Sequence, residues 1–394
     1  MNIMPSFLSR LSHSTISRFT AILLATLTLS SLALCDNVPN AVEAGNFFDT
    51  VKAGDLGKVK AMLKDNPNFL LSTSAGMVDS NIVVNFTPLH MAASWGRKDV
   101  AEFLLANKVQ VNAKNSIGVT PLHLAVSGGY KALVELLLAN KAEVNIKNDE
   151  GDTPLHYAAG GGYKALVELL LANKAEVNVR DKNGSTPLQL AADHGRKNVA
   201  ELLLANGAEV NEKANDGRTP LHSAVDSDHM DVASLLLANQ AEVDAKDEGG
   251  QTALHYAAFN GFTDMAELLL VNKAAVNATD NNGDTPLHIA AAEGRINVTK
   301  LLLVSHGDIN VKDKYGNTPL QLAEAKGRID MADFLRHPPT MFMMAVSLFV
   351  TSHYILLLSI IAGIIITTFL YFRFKSATFI LEHHNEASND IVKR

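Results

Sequence analysis

A four-residue sequence, Thr-Pro-Leu-His or a close variant, recurs through most of this 394-residue chain at a constant spacing of 33 residues. The eight copies begin at Thr87, Thr120, Thr153, Thr186, Thr219, Thr252, Thr285 and Thr318. A strict period of this length indicates that each unit is one small group of secondary-structure elements, which cannot bury its apolar side alone and has to stack on its neighbours. The spacing therefore predicts a solenoid across residues 87–337.

The unit that begins at Thr120 shows how one period is built. Thr120 suits a helix N-cap and the Pro after it suits the first helical position, so a short first helix is expected, ending at the Gly-Gly pair 128–129. The apolar stretch from about residue 131 to 139 predicts a second helix that is packed on several sides. We expect Asn140 to take the left-handed conformation that ends this helix. The residue types at 148–151 predict a tight hairpin.

The shared residues, Thr-Pro-Leu-His-x-Ala-Ala, then Gly, then Val-x-x-Leu-Leu and a closing Val-Asn, resemble the ankyrin repeat family from Gly45 to about Leu335. The resemblance implies an L-shaped helix pair with a projecting β-hairpin. It also implies a curved array of such units, which binds other proteins through the hairpin tips and the concave helix face. The expected fold class is mainly α, an ankyrin-repeat solenoid followed by a single transmembrane helix.

The chain departs from the family pattern at three positions of the unit, the first being Ala253, which stands where the other copies have Pro. Gln189 and Gln321 stand where the other copies have His, and only Gly207 keeps the family's closing glycine. In the remaining copies that position is taken by larger residues: Lys108, Lys141, Lys174, Gln240, Lys273 and His306. We expect the preceding Asn of most copies to take over part of the turn.

The two ends of the repeat array differ from its interior, as the ends of solenoids do. Residues 45–86 are expected to form a degenerate capping repeat followed by an insertion. The last unit is cut short by Pro338 and Pro339, and residues 373–394 form a short polar tail.

Two apolar segments flank the array. No Asp, Glu, Lys or Arg occurs between Arg336 and Arg373, and the apolar length within that stretch predicts a transmembrane helix at 346–372. Residues 1–35 have the pattern of a signal peptide or of an N-terminal signal anchor. Together they predict a single-pass membrane protein after signal cleavage, with the repeats outside the cytoplasm, periplasmic or extracellular, and the tail inside. Whether the first segment is cleaved, or Cys35 lipidated, is left open.

Composition and motifs favour no catalytic chemistry. The formal net charge of −7 argues against phosphate-driven binding of nucleic acid. The chain has no nucleophile motif and no phosphate-binding loop, so we infer no enzyme activity, no cofactor and no small-molecule substrate. The repeated histidines stand about a helix diameter apart, too far to share one metal ion. We therefore expect them to be structural, hydrogen-bonded near the start of each first helix, and we predict no metal site.

Recognition is expected at exposed positions that differ between units, because the shared positions build the scaffold. These are the residues just before each Thr and the two residues before the Gly that ends the first helix. The candidate partner-binding residues are Phe86, Trp95, Ile117, Val119, Asp149, Glu150, Asp152, Asp193, Asp226, Glu248, Phe259 and Tyr315. Aromatic residues are enriched at binding hot spots. An alternative for Phe86 and Trp95 is that they pack under the insertion that precedes Thr87.

The sequence thus predicts a membrane-tethered scaffold that binds a protein partner through the hairpin tips and the concave face of an ankyrin array. One alternative is an ankyrin effector or toxin-associated protein that acts on another cell or on a host. A remote alternative is an enzyme or channel component, which the single apolar helix without an intramembrane charge supports poorly.

Overall fold

The computed structural model of the chain describes residues 39–79 and 82–337. The chain divides into two compact units, the first ending at Ala274 and the second beginning at Ala275. The predicted signal segment 1–35, the transmembrane helix 346–372 and the tail 373–394 lie outside the described residues. Within the described ranges, no helix combines the length and the apolar character that crossing a bilayer requires.

Helices in pairs are the main secondary structure in the described part of both units. In the first unit they are α1 (Ala41–Ala53), α2 (Leu56–Asp65), α3 (Pro88–Ser94), α4 (Lys98–Ala106), α5 (Pro121–Ser127), α6 (Lys131–Ala139), α7 (Pro154–Gly161), α8 (Lys164–Ala172), α9 (Pro187–Asp193), α10 (Lys197–Ala205), α11 (Pro220–Asp226), α12 (Met230–Ala238), α13 (Ala253–Asn260) and α14 (Thr263–Val271). In the second unit they are α15 (Pro286–Glu293), α16 (Ile296–Val304), α17 (Pro319–Ala325) and α18 (Ile329–Arg336). The two helices predicted for the Thr120 period are confirmed by α5 and α6.

The helices of the first unit pack in two rows. Each first helix from α1 to α13 contacts the next first helix along the chain, and the second helices from α2 to α12 do the same. The core lies between the rows, where Leu122, Ala125 and Leu137 and their counterparts are almost completely buried. Small Ala at the repeated positions lets neighbouring helices approach closely at interior packing density. The predicted stacked repeats are therefore confirmed within this unit.

The N-terminal end of the first unit begins earlier than the predicted boundary at residue 45. Helix α1 begins at Ala41, because the Asn40 side chain accepts a hydrogen bond of 2.9 Å from the Glu43 N–H and caps the helix. After α2 come a short 3₁₀ helix (Pro67–Leu71) and an antiparallel pair, β1 (Ser74–Asp79) and β2 (Ile82–Phe86), in which Ser74 pairs with Phe86. The described part of the predicted insertion therefore contains a 3₁₀ helix and a strand pair, and β2 ends directly before Thr87.

The predicted β-hairpins are turns instead. Among the described residues, strands occur only in β1 and β2. At the tip before Thr153, the Asn148 N–H donates to the Asp152 carbonyl at 3.0 Å, and the Asn148 Oδ1 accepts from the Glu150 and Asp152 N–H groups at 2.9 Å. The Asn side chain thus satisfies backbone groups that a hairpin would pair between two strands.

The expectation that Asn140 takes the left-handed conformation is wrong. Asn140 has a φ of −90° and uses its Nδ2 to donate to the Leu136 carbonyl at 2.9 Å, while Lys141 has a φ of 67°. The Asn side chain serves one of the carbonyls left over at the helix end, so the reversal falls on the next residue. The same position has a positive φ in other units, at Lys108, Lys174, Gly207, Gln240, Lys273 and His306.

Candidate functional site

Most of the repeated histidines form a hydrogen bond to the next repeat along the chain. In the Thr120 unit, the Thr120 N–H donates to the His123 Nδ1 at 3.2 Å, and the His123 Nε2 lies 3.1 Å from the Asp152 carbonyl, which can only accept. Nε2 must therefore carry the proton, so the ring is neutral with Nδ1 as acceptor. Burial lowers the pKa of His123 to about 4, although the Asp152 carbonyl opposes the shift.

Four other copies repeat this arrangement. His90, His156 and His222 bond to the carbonyls of Val119, Ser185 and Gln251 at 2.9 to 3.2 Å, and in the second unit His288 bonds to the Asn317 carbonyl at 3.1 Å. Burial also lowers the pKa of His90, to about 4, and those of His156 and His222. The expected structural role of these histidines, hydrogen-bonded near the first helix, is thus confirmed. In the part of the chain that the structure describes, no three His, Cys, Asp or Glu side chains are placed to share a metal ion.

Gln189 makes the same pair of bonds with an amide. Its Oε1 accepts from the Thr186 N–H at 2.9 Å, and its Nε2 donates to the Arg218 carbonyl at 2.8 Å. Since Gln offers one acceptor and one donor at nearly the same separation as the imidazole, the unit keeps its connection without a titratable group.

The turn tips are connected by their backbones. The Asp149 N–H donates to the Ile117 carbonyl at 3.1 Å, the Lys182 N–H to the Glu150 carbonyl at 2.8 Å, and the Asn215 N–H to the Asn183 carbonyl at 2.8 Å. The chain of bonds continues from Glu248 N–H to Asp216 at 2.9 Å. Successive tips therefore form one row, and the predicted residues Asp149, Glu150 and Glu248 lie on it with exposed side chains.

Beside this row lies a surface that we call the first-helix face. It is formed by the residues seven and eight positions after each Thr, from Trp95 to Phe259. Residues of neighbouring repeats contact each other on the first-helix face. The Ser227 Oγ lies 3.4 Å from the Asp193 Oδ1, and the Asn260 Nδ2 donates to the Asp226 Oδ1 at 3.2 Å. The structure thus brings the predicted residues Trp95, Asp193, Asp226 and Phe259 onto one face of the first unit.

The aromatic side chains of this face are accessible. Trp95 is 45% exposed and Phe259 is 52% exposed, unlike most large apolar side chains of the unit. The Nζ of Lys52, at the end of α1, lies 4.5 Å from the Trp95 ring centroid. Trp95 therefore contacts α1, and one of its faces already holds a cation.

The acidic residues of the face take part in polar contacts. The Asp193 carboxylate lies 3.5 Å from His194, and the Asp226 carboxylate lies 3.0 Å from the Arg218 guanidinium. Arg218 is also 3.4 Å from Asp216 and lies over the Tyr256 ring, 4.7 Å from its centroid. This cluster around Arg218 was not predicted from the sequence. The signal was present, because Arg218 and Asp226 flank the short helix α11 at its two ends.

Residues just before the Thr positions are less available than predicted. Val119 is 3% exposed, so its inclusion among partner-binding residues is wrong. The physical reason is that its carbonyl is held by His90 and its N–H by Asn115, which fixes its side chain in the core. Phe86 is half-buried, with its ring centroid 6.0 Å from that of His90, and Ile117 is half-buried.

Asp152 is half-buried as well, and Tyr315 lies elsewhere. Burial raises the pKa of the Asp152 carboxyl, against the effect of the Asn148 side chain that donates to it. Tyr315 belongs to the second unit, where it is 73% exposed and the Lys314 Nζ lies 5.1 Å from its ring centroid.

Comparison with protein-family models finds one family, described as ankyrin repeats in three copies. The model matches four overlapping stretches, residues 47–148, 122–214, 208–280 and 254–341. A search among curated proteins returned no match to this chain. The matched stretches cover most of the chain and coincide with the stacked helix pairs and their connecting histidines. The chain belongs to the ankyrin repeat family.

Proposed function

We propose that this chain is a membrane-tethered scaffold that binds a protein partner through the first-helix face and the turn tips. Ankyrin repeats imply a protein partner, and the family generally serves as a non-catalytic interaction module. One observation carries the choice of surface. The residues shared between units are buried or hydrogen-bonded within the scaffold, whereas Trp95, Asp149, Glu150 and Phe259 differ between units and are exposed.

The tether rests on the sequence. The uncharged stretch between Arg336 and Arg373 is long enough to contain a membrane-spanning helix at 346–372, and it follows the last repeat almost directly. With residues 1–35 directing export, the repeats would face the periplasm or the extracellular space and the tail at 373–394 the cytoplasm.

The binding surface is tested by photo-cross-linking in cells that produce the protein. A photoreactive amino acid replaces Phe259 in one variant and Val271 in another. Val271 is the matched control, because it belongs to the same helix pair, is 75% exposed and lies at the end of the second helix α14. We expect a protein adduct at 259 and none at 271. Adducts at 271 alone would contradict the proposed surface.

The topology is tested by protease protection on intact cells, with one tag near Gly45 and another after Arg394. Digestion of the repeats with survival of the C-terminal tag supports the tether and its orientation. Protection of the repeats, or their release into the medium, contradicts it, and release would favour the effector alternative.

A further inference from the structure

We infer that the segment of the partner that contacts the first-helix face is extended and cationic, an inference that rests on the proposed function. Acidic side chains outnumber basic ones on the four-residue turn tips 148–151, 181–184, 214–217 and 247–250 and on the first-helix face. The acidic residues there are Asp149, Glu150, Asp181, Asp193, Asp216, Asp226, Asp247 and Glu248, and the basic one is Lys182, while Lys147, Arg180, Lys213 and Lys246 directly precede the tips. Complementary charge across an interface favours a partner of the opposite sign.

The face already binds cations of the chain itself. The Lys52 ammonium lies over the Trp95 ring at 4.5 Å from its centroid, and the Arg218 guanidinium lies between the Asp226 carboxylate at 3.0 Å and the Tyr256 ring at 4.7 Å. These are the two contacts by which proteins recognise Lys and Arg, an aromatic face and a carboxylate. They show, independently of the charge excess, which side chains this surface accommodates.

The centre of the face lacks side chains. Gly160 lies inside helix α7, where a glycine costs stability, yet a Cβ there would come no nearer than 3.9 Å to the Leu190 Cβ. The fold therefore does not require glycine at 160. By contrast, a Cβ at Gly128 or Gly161 would collide with the ring of Tyr130 or Tyr163. The absence of a side chain at 160 leaves room for the backbone of another chain to approach closely.

The dimensions suit an extended segment. Neighbouring first helices lie about 10 Å apart, so the five steps from the unit of Trp95 to that of Phe259 span about 50 Å. An extended chain covers that distance with about 15 residues. Apolar side chains at its two ends would meet Trp95 and Phe259, with Lys or Arg between them over the acidic residues.

The test uses the purified full chain in a non-ionic detergent and two fluorescent peptides of about 15 residues. One peptide has Leu at each end and alternating Lys and Gly between, and the other has Glu in place of Lys. Fluorescence anisotropy should show binding of the Lys peptide and none of the Glu peptide. Binding should weaken as salt increases, since these charges are exposed. Equal binding of both peptides, or of neither, would overturn the inference.

Variants separate a specific site from general attraction between opposite charges. Glu150→Gln with Asp193→Asn should weaken binding of the Lys peptide about tenfold. The matched control, Glu135→Gln with Glu201→Gln, removes the same charge from the exposed second helices α6 and α10 and should change affinity by less than about twofold. Equal losses in the two variants would show general attraction and overturn the site.

Gly160 supplies a test that involves no charge. Gly160→Gln should weaken binding of the Lys peptide, whereas Gly160→Ala should keep most of it, with circular dichroism reporting the fold of both. Unchanged binding by a folded Gly160→Gln variant would overturn the close approach. If no Lys peptide binds while cross-linking at 259 still captures a protein, the cationic class is wrong and the proposed function stands. If both fail, the proposed function is wrong too.

Discussion

The neighbouring units that begin at Thr153 and Thr186 solve the same structural problems with different residues. Where one uses His156 to reach the carbonyl of the next unit, the other uses Gln189. Tyr163 and Arg196 both reach back to a carbonyl at the end of the preceding first helix, at 3.2 and 3.1 Å. The hydrogen bonds are therefore the requirement, and the residue type is free wherever another side chain can make them.

On the first-helix face, the repeats that begin at Thr153 and Thr186 have different residues at both positions. The repeat that begins at Thr153 has Gly160 and Gly161 there and therefore no side chains, whereas the repeat that begins at Thr186 has Asp193 and His194. The fold does not require the glycine at 160, whereas Gly161 is needed because a Cβ there would collide with the Tyr163 ring. The comparison therefore separates positions that hold the array together from positions that are available for recognition, and each part of it can be tested.

The largest effect should come from pH. His90 and His123 have pKa values of about 4 in the folded chain, against an ordinary value of 6.5. The unfolded chain binds protons more tightly at these two histidines than the folded chain does. Their contribution to the free energy of unfolding is therefore complete above about pH 6.5 and is lost as the pH falls towards 4. The loss is about 3 kcal/mol per histidine. Urea denaturation at several pH values measures it. His123→Gln should lessen the pH dependence, and an unchanged slope would contradict this assignment.

Removing the hydrogen bonds of one repeated histidine should lower the free energy of unfolding by almost as much. His156→Leu leaves the buried Thr153 N–H and the Ser185 carbonyl without their partner, so we expect about 2–4 kcal/mol of destabilisation. His156→Gln copies the Thr186 unit and should stay within about 1 kcal/mol of the wild type. Denaturant midpoints at pH 8 compare the two variants, and equal losses would mean that the imidazole itself is needed.

The turn after the second helix should give a smaller effect. Lys174 has a φ of 68°, whereas the corresponding Gly207 has a φ of 86° and no atom near the site of an added Cβ. Lys174→Gly should therefore stabilise the chain by about 1 kcal/mol, and Gly207→Lys should destabilise it by a similar amount. Thermal or urea unfolding measures the stability change of both variants. Shifts of the same sign in the two variants would show that strain at this residue does not decide the outcome.

The smallest effect is expected at the face itself. Gly160→Ala should stabilise helix α7 by about 0.5–1 kcal/mol, because alanine loses less conformational entropy in a helix and its Cβ meets only ordinary contacts. The control is Gly161→Ala, which should destabilise the chain because its Cβ would collide with the Tyr163 ring. Destabilisation by Gly160→Ala would mean that the fold needs this glycine after all.

Much of the fold could be predicted from the sequence because the period and the helix signals agree. Helices α5 and α6 lie where the sequence placed them, and the histidines are hydrogen-bonded near the helix start as predicted, whereas their bond to the next repeat was not predicted. The hairpins and the left-handed Asn140 were wrong for one common reason. Residue types indicate that a turn occurs, but they do not tell whether an Asn side chain will bond to the backbone and shift the reversal to Lys141.

The candidate site was predictable only in part. Exposure at Trp95 and Phe259 follows from their place at the end of a first helix, which the period makes visible. Burial of Val119 depends on hydrogen bonds to His90 and Asn115, and the position of Arg218 depends on contacts with a different unit. Contacts between residues of different 33-residue repeats are set by how the repeats stack, and composition and spacing do not encode this geometry.

The bonds between units also limit how such a chain can change in length. They join residues separated by fixed numbers, 29 for the histidine bond and 36 for the Tyr163 hydroxyl, and each depends on the 33-residue period. Inserting or deleting a few residues within a unit would put these partners out of reach, whereas copying an entire unit preserves every one of them. The identical segments 128–145 and 161–178 are what such copying leaves behind. A gene of this design grows or shrinks by whole repeats, and new binding surfaces arise when the copies later diverge.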